Sequence, residues 1–289
     1  MRLLRTEWKK ILYEKKILVL SAICLLMLVI FVALSLSVRN DRTHFGIMQA
    51  FYNDYQVEPC AIPEKDNINV ENSIGYILGM NDWMHPFRYE ILRSSLFMTF
   101  AFVIIFIVFT ATEFAKEYER RTIRYNVFCG YSKMNVFVNK FMVLNVTMYI
   151  MYLITTLLML ICFSIISNYK VDVSDFAILS RIVSENMLCI LVFNSLAVVM
   201  VAVTRKSVLA ILIGIIWYFS SFMIYTMIYK DNMYYGRGAY ILSMISPGTY
   251  LYNNCSLSGY DFKTLIIYAF LFVTVSWLFI VLILKKQEV

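Results

Sequence analysis

The sequence has little charge and few of the residues that interrupt helices. Charged residues make up 16% of the 289 residues, and there are only 9 Gly and 4 Pro. Soluble domains carry about a quarter charged residues, whereas hydrophobic residues reach 61% here. The low charge therefore excludes a water-soluble globular protein, and the scarcity of Gly and Pro argues against a disordered chain. The composition predicts a polytopic membrane protein.

The motifs of common catalytic and cofactor sites are also missing. There is no G-x-x-x-x-G-K-[ST] cradle for ATP phosphates and no H-E-x-x-H zinc motif. The six Cys form no C-x-x-C pair, and the two His residues, His44 and His85, are weak evidence for a metal. We expect no catalytic residue, cofactor or metal site in this chain, which is not an enzyme by itself.

Six apolar runs have the length of a membrane-spanning helix. They occupy residues 17–38, 94–112, 141–166, 182–204, 208–228 and 264–284. About 20 apolar residues are needed to cross a bilayer as a helix, and a helix satisfies all backbone hydrogen bonds internally. The predicted fold class is an all-α polytopic membrane protein with six transmembrane helices.

The distribution of Lys and Arg predicts the orientation of these spans. With a cytoplasmic N-terminus, the inside segments hold 16 Lys and Arg, whereas the longer outside segments hold 10. This is the positive-inside pattern. We therefore expect both termini in the cytoplasm and the protein in a bacterial plasma membrane. The net charge of +7 then reflects topology and attraction to anionic lipid headgroups rather than nucleic acid binding.

The expected organisation is one membrane domain, 17–289, preceded by a short helix, 1–16. Leu4, Trp8, Ile11 and Leu12 fall on one face of that helix, which predicts an amphipathic helix on the inner leaflet. The alternative is a basic flank that only fixes topology. Between the first two spans lies an external insertion, 39–93, which we expect to be helical. A second external or re-entrant segment covers 229–263.

The cytoplasmic segment 113–140 is dense in charge and in aromatic residues. Gly130 suits the end of a helix, and Ser132 suits the N-cap of the next one. The pattern predicts a short amphipathic helix, a turn and a second helix leading into the third span. Such an element could dock onto a soluble partner; the alternative is a solvated basic loop.

This segment resembles the signature of type-2 ATP-binding-cassette (ABC) exporter permeases. The resemblance lies in Glu113, the run Arg120-Arg121-Thr122-Ile123, the run Gly130-Tyr131-Ser132-Lys133, and Lys140. It extends to the six-span layout and to the Ser-Pro-x-x-Tyr-Leu stretch at 246–251. Arg121 departs from the family pattern, which usually has Gly before the Thr. The long external insertion is similar to that of short permeases for bacterial peptide export and bacteriocin immunity.

The resemblance implies a coupling helix that inserts into a cytosolic ABC ATPase subunit, where ATP and Mg would bind. The implied ATPase contacts are Glu113, Glu117, Tyr118, Arg120, Arg121, Thr122, Arg124, Phe128, Tyr131 and Lys133. Arg205 and Lys206 would form a secondary contact, although a topology signal explains them as well. A second permease copy or paralogue would complete a dimer in the lipid bilayer. The implied substrate is an amphipathic peptide or a lipid-like molecule.

A few residues in or near the spans are candidates for a pathway or an outer gate. They are Glu185, Asn186, Asn194, Pro247 and Tyr250. The alternative for most such residues is hydrogen bonding between helices. Cys60 and Cys255 are both predicted outside, where a disulfide can form.

The best interpretation is the permease subunit of an ATP-driven exporter. One rival is a membrane-bound sensor or immunity protein that binds peptide at the external loop without transport. An intramembrane enzyme is a second rival, but it needs convergent catalytic groups in the spans, and the sequence offers none.

Overall fold

The computed structural model describes residues 6–9, 16–40, 91–92, 95–96, 98–119, 128–167, 170–229, 245–255 and 262–286. Besides short helical stretches at 6–9, 91–92 and 95–96, these ranges contain seven helices and no strand. They are α1 (Lys16–Asn40), α2 (Thr99–Glu119), α3 (Lys133–Ser167), α4 (Val173–Thr204), α5 (Ser207–Tyr229), α6 (Pro247–Cys255) and α7 (Phe262–Lys286).

Five of these helices, α2, α3, α4, α5 and α7, are long and apolar enough to cross a membrane. Helix α1 is not among these five: its apolar stretch in the described residues, Leu18–Ala33, is shorter. Large hydrophobic side chains cover the outer surface of the bundle, as expected of surface that faces lipid rather than water. The predicted all-α polytopic membrane fold is confirmed.

Three helices extend beyond the apolar runs that predicted them. The second span continues as one helix to Glu119, seven residues past the expected end, so the start of segment 113–140 belongs to α2. Helix α3 begins eight residues early, at Lys133, and α4 begins nine residues early, at Val173. These extensions carry the charged side chains that an apolar window excludes. Most of the N-terminal segment 1–16 and most of the external insertion 39–93 lie outside the described residues. Of the segment 229–263, the structure describes 229, 245–255 and 262–263.

Helix α4 is the centre of the bundle and packs against α2, α3, α5, α6 and α7, whereas α1 packs against α3. The turn from α4 into α5 consists of Arg205 and Lys206 alone. Arg205 adopts a left-handed conformation, with φ at 58°, and its N–H donates to the carbonyl of Val201 at 2.8 Å. This cap lets the chain reverse within two residues and makes α4 and α5 an antiparallel pair.

Contacts between side chains set the directions of the other helices. Asn186 contacts Tyr152, and Asn194 contacts Asn145, so α3 and α4 are antiparallel. We name the two ends of the bundle by residues of α3. At the Lys140 end, α2, α4 and α7 finish and α3 begins; the Tyr152 end is the opposite one.

Candidate functional site

At the Lys140 end, three charged side chains are buried where α2 meets α3. Glu113 is 1% exposed, Glu117 is 2% exposed and Lys140 is 3% exposed. The Lys140 ammonium donates to the backbone carbonyl of Glu113 at 2.7 Å and to Glu117 Oε1 at 2.5 Å. It also lies 5.7 Å from the centre of the Phe114 ring, within reach of a cation–π interaction. Lys140 therefore ties the beginning of α3 to the last turns of α2.

The local sequence explains this arrangement. Glu113 and Glu117 are four residues apart and therefore share one face of α2. Burial of a charge is expensive unless an opposite charge and hydrogen bonds compensate for it, and Lys140 supplies both to the Glu117 carboxylate. On the outer side of the same helix, Lys116 forms an ion pair with Glu113 at 2.9 Å and remains partly exposed.

Aromatic packing continues this contact towards the end of α2. Phe137 of α3 packs on Phe114 at 5.2 Å and on Tyr118 at 6.0 Å between ring centres. Arg205 lies in the turn between α4 and α5, two helices that both pack against α2. The expected secondary contact, Arg205, is therefore at the same end of the bundle as the expected primary one.

The chain leading into α3 presents exposed side chains at this end. Phe128 is 89% exposed, the highest value among the large hydrophobic side chains that the structure describes. Gly130 has a φ of +84°, the left-handed conformation in which glycine is favoured, so the chain turns there. Ser132 Oγ then accepts the N–H of Asn135 at 3.2 Å, which caps α3 as the sequence predicts.

The structure places the sequence-predicted contact residues in three settings. Glu113 and Glu117 are buried: the Glu117 carboxylate pairs with Lys140 of α3, whereas Glu113 offers its backbone carbonyl to Lys140 and its carboxylate to Lys116. Phe128, Arg205 and Lys206 are exposed. The remaining described members are half-buried, namely Tyr118, Tyr131 and Lys133. Arg120, Arg121, Thr122 and Arg124 lie outside the described residues.

The residues predicted for a pathway or gate are all buried. Glu185 accepts a hydrogen bond from Arg181 at 2.9 Å, an ion pair one turn away on α4. Asn194 donates to Asn145 on α3 at 2.8 Å, so it joins two helices. Pro247 and Tyr250 belong to α6, which is enclosed by the bundle.

At the Tyr152 end, one hydrogen-bonded cluster joins four helices. The Tyr152 hydroxyl is 2.6 Å from Thr99 Oγ1 of α2 and accepts from Asn186 Nδ2 of α4 at 3.1 Å. The same amide lies 3.6 Å from Cys255 Sγ of α6. Cys60 lies outside the described residues, so the Cys60–Cys255 bridge stays a prediction.

Sequence reasoning gave no site role to Lys140 or Tyr152. Lys140 was visible as part of a motif, but its partners are 23 and 27 residues away in sequence. Tyr152 and Asn145 stand inside an apolar run, where a single polar group in the membrane signals a hydrogen-bond partner on another helix. A single polar residue in an apolar run therefore predicts a hydrogen bond to another helix, but it does not identify the residue at the other end of that bond.

The whole chain can be compared with known families. Residues 1–285 match the model of the ABC-2 family transporter proteins. The chain belongs to the ABC-2 transporter family. No curated protein and no solved structure gives a significant match. As an ABC-2 protein it is an integral membrane protein and the permease component of an ABC transporter. Permeases of this family work with a cytosolic ATPase subunit and membrane lipids, and are generally not catalytic themselves.

Proposed function

We propose that this ABC-2 protein is the permease of an ATP-driven exporter that moves amphipathic molecules, with ATP and Mg bound by a separate subunit. The observation that carries the proposal is the contact of Lys140 with Glu113 and Glu117. This contact fastens α2 to α3 on both sides of residues 120–127. A force applied to that connecting segment would therefore reach two spans together.

The proposed coupling site consists of the connecting segment and the exposed residues around it. Phe128 supplies an apolar anchor, and Arg205 and Lys206 add positive charge from the neighbouring turn. Buried aromatic residues surrounded by charges are the usual centres of protein interfaces. Closure of the ATPase pair would push this site, and α2 and α3 would move as one unit against α4. The Lys140 end is then cytoplasmic, in agreement with the positive-inside pattern.

The resemblance to short permeases for peptide export supports an amphipathic substrate, such as a toxin or antimicrobial peptide or a lipid-like compound. The spans are apolar, which suits the apolar part of such a molecule. Two copies of the permease, or one copy and a paralogue, would together enclose the pathway.

The test is charge reversal of the connecting segment. We expect replacement of Arg120, Arg121 and Arg124 by Glu to reduce association with the ATPase subunit at least tenfold, while the permease still inserts into the membrane. The matched control replaces Lys285 and Lys286 by Glu, because this exposed basic pair lies at the same end on α7. Co-purification from detergent measures association, and size-exclusion chromatography checks folding. Undiminished association in the triple variant would refute the coupling-site assignment.

A further inference from the structure

The last span, α7, shows how deep its neighbours lie in the bilayer. The stretch from Thr264 to Leu284 carries no charge and, at 1.5 Å per residue, is about 31 Å long. That length matches the apolar thickness of a bilayer, about 30 Å. Lys263 precedes the stretch, and Lys285 and Lys286 follow it. The start of α7 therefore lies among the headgroups of the leaflet at the Tyr152 end.

A contact between α4 and α7 fixes their relative depth. Ser195 Oγ of α4 lies 3.5 Å from Ser276 Oγ of α7, and both helices finish at the Lys140 end. The same number of residues separates Arg181 from Ser195 as separates Phe262, the first residue of α7, from Ser276. Because both helices rise equally per residue, Arg181 is level with the start of α7. Arg181 therefore lies at the depth of the headgroups.

Helix α4 continues past the start of α7 with one face uncovered. Positions 177, 181, 184, 188 and 195 recur at intervals of three, four and seven, so they share a face of α4. Ser195 on this face contacts α7, whereas Ala177 and Val173 lie beyond the level at which α7 begins. Ala177 and Arg181 are exposed, and Val173 is 87% exposed. The structure thus leaves the outer part of this face open, beginning at Arg181.

Arg181 is held by an ion pair on one side. Its Nε donates to Glu185 Oε1 at 2.9 Å; the side chain of Glu185 is 10% exposed and that of Arg181 is 73% exposed. Arg181 makes no other hydrogen bond or ion pair within the part of the chain that the structure describes. The terminal nitrogens of the guanidinium, which carry most of its N–H donors, therefore remain for another partner.

A phosphate group matches the donors that remain. A guanidinium binds phosphate through parallel N–H donors, and the buried Glu185 carboxylate fixes the direction in which Arg181 presents them. Next to Arg181, just inside the bilayer, α7 exposes apolar side chains such as Ile266 and Phe270. The exposed acid on the same helix, Asp172, lies about 13 Å further out. A phospholipid therefore matches both the charge and the apolar surface at this depth.

We infer that Arg181 binds the phosphate of a phospholipid in the leaflet at the Tyr152 end, with Glu185 as its positioning residue. This is the outer leaflet if the Lys140 end is cytoplasmic, as the proposed function requires. The acyl chains would lie along the exposed side of α7. Arg181 thus marks a lipid site on the permease itself, separate from the surface that meets the ATPase.

The test measures lipid binding to the full-length permease in detergent, by native mass spectrometry during titration with phosphatidylglycerol. We expect Arg181→Gln to raise the dissociation constant of the tightest-bound lipid about tenfold, because charged hydrogen bonds to phosphate are lost. The matched control is Lys263→Gln: Lys263 is exposed at the same depth, but it lies off the face of α7 that carries the buried Leu265 and Ala269. That variant should bind the lipid as tightly as the wild type does.

A second variant separates lipid binding from folding. Arg181→Gln alone leaves the buried Glu185 carboxylate without its ion pair, which can destabilise α4. Arg181→Gln with Glu185→Gln removes both charges and keeps side chains of similar size. We expect this double variant to melt close to the wild type, as followed by circular dichroism, and still to lose the lipid.

Three results would overturn the inference. One is equal affinity for the lipid in the wild type and the double variant, which would leave the open face to another occupant, such as a second permease copy. Another is an equal loss in Lys263→Gln, which would mean general attraction between cations and headgroups. The third is competition by glycerol phosphate, which would mean a site for soluble phosphate. Because the assay contains no ATPase, its outcome is independent of the proposed transport function.

Discussion

Replacement of Lys140 by Met should destabilise the protein more than the same change at Lys116. Both lysines contact α2 carboxylates, Lys140 at Glu117 and Lys116 at Glu113. Only Lys140 is buried: the side chain of Lys116 is 39% exposed, whereas that of Lys140 is 4% exposed. The two variants therefore compare an ion pair that is buried on both sides with one in which the lysine is partly exposed and the carboxylate, Glu113, is buried.

The expected magnitudes follow from burial. Removing one partner of a buried ion pair costs about 3–5 kcal/mol, because the other charge stays in a poorly solvating environment. In the Lys116–Glu113 pair only the lysine is open to water, so its loss should cost more than the about 0.3–0.5 kcal/mol of an exposed pair but less than the loss of the fully buried pair. We expect Lys140→Met to lower the free energy of unfolding by about 3 kcal/mol or more, and Lys116→Met by about 1–2 kcal/mol.

The assay is unfolding in mixed micelles by titration with a denaturing detergent, followed by circular dichroism. A third variant, Lys140→Met with Glu117→Gln, should recover part of the loss because it also removes the buried carboxylate charge. Equal effects of Lys140→Met and Lys116→Met would refute the reasoning. So would a double variant less stable than Lys140→Met alone.

Three further predictions concern other contacts. Gly248→Ala should lower the free energy of unfolding by about 1–3 kcal/mol through overpacking against Ser221, and Ser221→Gly should restore part of it, as measured in the same titration. Tyr152→Phe removes the hydroxyl that joins α2, α3 and α4 and should lower that free energy by about 1 kcal/mol; an unchanged value would contradict the described hydrogen bonds. Arg205→Glu with Lys206→Glu should weaken ATPase association in co-purification, but less than reversal of the connecting segment does.

The fold was predictable because bilayer physics leaves few alternatives. A run of about 20 apolar residues can cross a membrane only with its backbone hydrogen bonds satisfied internally, which means a helix. The same reasoning could not give the residues at which α3 and α4 begin. Their first turns, from Lys133 and Val173, contain charged residues that hydropathy excludes, although a helix continues easily through such residues.

The candidate site was only partly predictable. The motif around Glu113 and Lys140 marked the right region, and Gly130 and Ser132 marked the turn and cap because these preferences are local. Sequence spacing did not show that Lys140 meets Glu117, since that contact depends on how α2 and α3 pack. For the same reason, sequence spacing did not show that Glu113 and Glu117, both predicted as ATPase contacts, are buried.

The central claim is that this permease transmits the action of a separate ATPase. The most direct measurement is a pull-down of the intact protein from its native host in mild detergent, with identification of bound proteins by mass spectrometry. We expect a stoichiometric cytosolic subunit that carries a G-x-x-x-x-G-K-[ST] motif. Reproducible absence of such a subunit from folded permease would contradict the claim and favour a sensor or immunity protein without transport.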